Sequence, residues 1–196
     1  CVGASVAGRQ QQEIENLIGF FVNTLALRTV FNPQSSFTDI LTSVKQTALE
    51  AFDNQEVPFE KVVDLVVKDR DISRSPLFQV AFIMLNTPEA PKVEIDGLNI
   101  AGEGYDHTVS KYDLSFYLND TGNGIKGFVE FKTGLFTDQT INRLISNYKK
   151  LLASVAAQPT ERISSLSILS ANEERNIFVS LNDSGFDYKS NTSIVA

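Results

Sequence analysis

Tryptophan is absent from the chain, and cysteine, histidine and methionine occur once each. A single thiol, Cys1, excludes an internal disulfide and any cysteine-based zinc site. One imidazole, His107, leaves a histidine metal centre short of ligands. Basic residues are outnumbered, 17 Lys and Arg against 24 Asp and Glu, for a formal net charge of −7. A nucleic-acid binder would carry a basic footprint instead. No run of about 18 apolar residues occurs, so no membrane-spanning helix is predicted. The opening CVGASVAGRQ has neither the charged region nor the apolar core of a secretory signal. A reducing, cytoplasmic setting is the expectation. The only methionine is Met84, so Cys1 reads as an internal residue of something longer.

What is present is a core-forming chain: 196 residues, 42% apolar, with 14 Phe. That suits one large domain or two small ones. VGASVAG reads as a strand. In QQQEIENLIG the spacing of Ile14, Leu17 and Ile18 predicts a helix, with Gly19 as its stop. Phe20–Phe31 is predicted to be a buried strand. Ser36, with Asp39 three residues on, resembles a capping pair. It opens a helix whose apolar positions run from Ile40 to Phe52. Pro58 suits a first helical position, and FEKVVDLVV follows as a shorter helix.

RDISRSPLF reads as a loop because Pro76 biases Ser75 away from helix. Phe78–Leu85 reads as an apolar strand. Short strands are expected at Val93–Ile95 and Leu98–Ala101. Tyr112–Asn119 alternates, with Leu114, Phe116 and Leu118 on one side. DTGNG then turns the chain into Ile125–Lys132, which completes a hairpin. Thr137 caps a long amphipathic helix stopped by Pro159. Another helix starts at Ser170, before the polar tail LNDSGFDYKSNTSIVA. Strands and helices mixed in this order predict an α/β (α+β) fold, a mixed sheet with helices packed on it. Residues 1–169 form the main unit, and 170–196 a terminal helix with a linker.

No complete active site emerges from these residues. His107 sits in the turn-rich GYDHTVSKYDL with no nucleophile to activate, and reads as a loop histidine. Asp69 and Asp71 flank Arg70, a pattern suited to a salt-bridged turn, and Ser73 and Ser75 lack a base. Asn23 stands among apolar residues in LIGFFVNTLALR. Its amide is either satisfied by nearby backbone or lines a cavity for an amide-bearing substrate. Arg28 suits pairing with a carboxylate or covering a strand end. Arg9 follows Gly8 at a strand end, where a guanidinium can meet an anion such as phosphate.

VGASVAGR, IGFFVNTLALR, NQEVPFEKVVD and RDISRSPLFQVAF, in that order, resemble the later motifs of nonribosomal peptide synthetase condensation domains. The hairpin SKYDLSFYLND…IKGFVEFKTGLF is similar too, so the resemblance runs from about Val2 to Ile177. It implies one lobe of a two-lobed, chloramphenicol acetyltransferase-like acyltransferase with a tunnel between the lobes. Peptidyl carrier proteins would present phosphopantetheine-tethered substrates at its two mouths for amide-bond formation, with no cofactor bound directly. The family's His-His-x-x-x-Asp-Gly motif is not in this sequence. The resemblance is therefore to the C-terminal lobe, expected to be inactive alone; a missing N-terminal lobe and an adjacent adenylation domain are the implied partners. Asn23 matches the family's Phe-Val-Asn-Thr motif facing the tunnel, and Arg9 the Gly-Arg position beside the acceptor mouth. Pro58, Phe59 and Glu60, then Arg70, Ser73, Arg74 and Pro76, match motifs read as architectural, as is Arg28.

Overall fold

The computed structural model describes residues 1–69, 71, 73–85 and 109–185. Its strands are β1 (Val2–Val6), β2 (Asn23–Leu27), β3 (Val80–Leu85), β4 (Leu114–Asp120) and β5 (Ile125–Phe131). Its α-helices are α1 (Gln12–Glu15), α2 (Phe37–Asp53), α3 (Phe59–Val66), α4 (Asp138–Ala157) and α5 (Ala171–Phe178). The strands form one mixed sheet in the order β2-β1-β3-β4-β5. β1, β3 and β4 run parallel across the middle, while β2 and β5 are antiparallel edges. The predicted strands at 93–95 and 98–101 lie outside the described residues, as does His107.

Register explains the core. Gly3 pairs with Ala81, and Ala81 with Ser115, so small residues line up across β1, β3 and β4. Phe78 fills the space they leave and is 1% exposed; a Cβ on Gly3 would run into its ring. Phe59 of α3 and Tyr112 tilt against Phe78 at 5.6 and 5.2 Å between ring centroids, completing an aromatic cluster. Just before it, Leu77 adopts φ 67° while the Phe78 N–H donates to the Pro76 carbonyl at 2.8 Å. This tight three-residue turn is strained for a residue with a Cβ, and the packing of Phe78 holds it in place.

On the opposite face α4 buries Ile141 and Val155 and sets Tyr148 against Phe116 at 5.6 Å. Thr137 caps this helix by accepting the Thr140 N–H, as its sequence predicts. Capping boxes open α2 and α5: Ser36 with Asp39, and Ser170 with Glu173, each exchange both bonds. The start of α2 is tied to the exit of α4 by Thr38 N–H donating to the Pro159 carbonyl at 3.1 Å, and by a Ser36–Arg162 bridge.

Three expectations need correction. The strand predicted over 20–31 is confined to Asn23–Leu27, which pairs with β1 from Val6↔Asn23 to Val2↔Leu27. Phe20, Val30 and Phe31 lie outside it and are exposed. The helix predicted through Ile18 is a single turn, Gln12–Glu15, with no side-chain cap and no buried residue. Pro58 is the N-cap of α3 rather than its first residue, with ψ 135° still extended.

Candidate functional site

Between the ends of β1 and β2, the α1 loop and the entry to α3 lies an open cleft of about 540 Å³. It gathers Asn23, Pro58, Phe59 and Glu60, which the sequence had separated by more than thirty positions. Thr24, Phe21 and Val22 line it too, so most of the FVNT stretch faces this space.

Asn23 holds the cleft together. Its Nδ2 donates to the Gln55 carbonyl at 2.7 Å and to the Val57 carbonyl at 2.8 Å; its Oδ1 accepts the Thr24 N–H at 2.8 Å. The amide thus pins the α2–α3 connection to the end of β2. Of the two readings of Asn23, backbone satisfaction is directly visible, and the side chain borders the cleft at the same time.

Arg9 does not itself line the cleft, although Gly8 and Gln10 on either side do. Its Nη1 donates to the Glu15 carbonyl at 2.7 Å, and its Cζ lies 4.8 Å from the centre of the Phe21 ring. Lys111, which sequence reasoning passed over, supplies a cation on the cleft wall, with its Nζ 5.2 Å from the Tyr112 ring centre. Gln11, Gln55 and Glu56 were missed as well. All of these sit in turns and loops, where no periodicity marks them.

The other motif residues are elsewhere. Arg28 lies exposed one residue beyond β2, and Arg70 is outside the described residues. Ser73 donates through both N–H and Oγ to Asp71 Oδ1, at 2.9 and 2.6 Å, and Arg74 Nε sits 3.7 Å from Asp71 Oδ2. The Ser73 hydroxyl, then its N–H and the Arg74 charge, hold the Asp71 carboxyl below its ordinary range. Arg74 and Pro76 border a separate hollow of about 410 Å³ behind α3. This cluster orders the turn that leads into Phe78 and β3.

One buried side-chain polar atom remains without a partner among the described residues, the Oγ of Ser115, in a residue 0% exposed. The Tyr117 phenol nearby is pushed above its ordinary range by burial and by the Glu130 carboxylate. Ser115 offsets part of that rise, yet its geometry falls short of a hydrogen bond.

A mixed five-stranded sheet with this cleft at the β1–β2 end defines a class: residues 1–178 match the Condensation domain family, and the chain belongs to it. Gramicidin S synthase 2 of Brevibacillus brevis is 37% identical over 187 residues, 95% of this chain and 4% of that protein. The X-domain in its complex with OxyB from teicoplanin biosynthesis superposes with a TM-score of 0.75 at 26% identity, over 86% of this chain and 38% of that one. A four-domain nonribosomal peptide synthetase bound to AMP and glycine shares the fold, with a TM-score of 0.79 at 19% identity over 88% of this chain and 14% of that one. The chain therefore spans a small part of the synthetases it resembles and well under half of a solved X-domain chain.

Proposed function

We propose that this chain is the C-terminal lobe of a condensation domain and supplies one wall of the tunnel in which carrier-bound substrates are joined by an amide bond. The observation that carries this reading is the cleft itself. Phe21, Val22, Asn23 and Thr24 border a space open to solvent, and Ile18 and Phe20 beside it are almost wholly exposed. A second lobe laid against this rim would enclose the tunnel and cover those side chains. Asn23 sets the wall's shape by fixing the α2–α3 connection, and the phosphopantetheine arm of a peptidyl carrier protein would run along it. The proton-handling histidine belongs to the other lobe. Residues 170–196 lead toward an adenylation domain, and the setting is the cytoplasm.

Because acyl transfer depends on preorganised base and substrates, half a tunnel gives no measurable rate. The test supplies the chain with two substrate-loaded carrier proteins and follows amide formation, first alone and then with an N-terminal lobe added. Turnover only in the second arm supports the reading; turnover by the chain alone refutes it.

A second reading, a non-catalytic docking module, draws on the exposed Ile18 and Phe20 and on the likeness to an X-domain seen in complex with another protein. It expects carrier or partner binding in both arms and product in neither.

A further inference from the structure

We propose that Arg9 is a latch that positions the cleft-forming loop, rather than a ligand for phosphate. The part of this inference that concerns ligands rests on assigning the cleft to a pantetheine arm; the conformational part does not.

β1 and β2 stop pairing at Val6↔Asn23, leaving a loop between them whose neck is very tight. Gly8 has φ 65°, and a Cβ there would meet the Phe21 carbonyl, so the two ends of the loop touch backbone to backbone. Beyond the neck, α1 has little of its own to keep it in place. It is one turn long, buries no residue and has no side-chain N-cap. Yet Gln10, Gln11, Ile14 and Phe20 from this loop form a wall of the cleft.

Arg9 makes the connection that α1 lacks. Its guanidinium donates to the Glu15 carbonyl, at the end of α1, while stacking over Phe21 at the neck. The planar fork allows both contacts at once, which an ammonium could not reproduce. The carbonyl it takes is the last of this single turn, one of the orphan acceptors at a helix C-terminus. Arg9 therefore decides where Ile14 and Phe20 stand, and through them the width of the cleft, without touching its contents.

Hydrogen exchange on the 196-residue chain tests the latch directly. Arg9→Ala should raise exchange at the hydrogen-bonded amides of Ile14 and Leu17 by roughly tenfold or more, the scale of losing a hydrogen bond to a charged group. Amides of β1 and β2 should be unchanged, which also shows that the fold survives. Phe21→Ala, which leaves the guanidinium in place, should loosen the same amides. Binding is then compared for phosphopantetheine and for pantetheine without its phosphate. A latch weakens both by the same factor in Arg9→Ala. Loss confined to the phosphorylated probe, or unaltered exchange in the loop, overturns the proposal. If wild type binds neither probe, the cleft assignment fails while the exchange result still decides the latch.

Discussion

Replacing Asn23 probes the joint between β2 and the α2–α3 connection. Its amide reaches across 32 and 34 residues of sequence to the Gln55 and Val57 carbonyls, and each such bond contributes about 1 kcal/mol net. In Asn23→Ala both carbonyls lose this donor, Gln55 in a part-buried bond and Val57 at the surface, where solvent replaces it more readily. The sum is about 2 kcal/mol, or roughly 4–8 °C in Tm for a chain of this length. Asn23→Asp is sharper. It keeps the shape and the bond from the Thr24 N–H but sets a carboxylate against two carbonyl oxygens, so it should be worse than alanine at neutral pH. Those carbonyls raise the folded pKa of the new carboxyl above its usual value of about 4. A raised pKa means that stability is lost as pH rises through it, so the deficit of Asn23→Asp should shrink in acid. Urea and thermal unfolding at pH 7 and near pH 4 measure both effects. If both variants melt within about 1 °C of wild type, the amide is not a structural staple and the reasoning fails.

Other outcomes follow from the same structure. Ser115→Ala removes a buried hydroxyl with no partner and should raise stability by about 1 kcal/mol in urea unfolding; a loss of that size would reveal a bond the geometry does not show. Gly3→Ala pushes a methyl into the Phe78 ring and should cost about 1–3 kcal/mol, more than the same change at Gly134, where the added Cβ meets nothing. Asp39 and Glu173 are held below their ordinary range chiefly by the bonds from Ser36 and Ser170. Their contribution is present above the usual carboxylate pKa of about 4 and is lost as pH falls through the lowered values. Asp39→Asn with Glu173→Gln should therefore flatten the acid limb of the stability curve, and an unchanged limb would count against the capping boxes.

Helix starts were legible because a cap is a local device: Ser36, Thr137 and Ser170 each bond a residue three positions on. The hairpin was legible for the same reason, with Thr121 N–H donating to the Gly124 carbonyl and glycines at positive φ. Strand length was not, since it depends on what a distant partner can pair. Phe20, Val30 and Phe31 look like core in the sequence yet lie outside the paired stretch and stand exposed. Asn23 and Pro58–Glu60 were each identified, but that they share one cleft could not be read from their spacing. Lys111 and Gln55 fall within the quoted motifs SKYDLSFYLND and NQEVPFEKVVD, but nothing in their spacing marked them as cleft residues.

What the sequence determined alone was the family, the mixed α/β class and the starts of the three helices with a side-chain cap, because ordered motifs and caps are written in short-range residue identity. The tertiary structure decided which residues meet. Only folding brings the Gln55 and Val57 carbonyls to Asn23, Phe78 onto Gly3, and the Arg9 guanidinium between Glu15 and Phe21. Those contacts depend on sheet register and loop closure, which are properties of the whole packed chain.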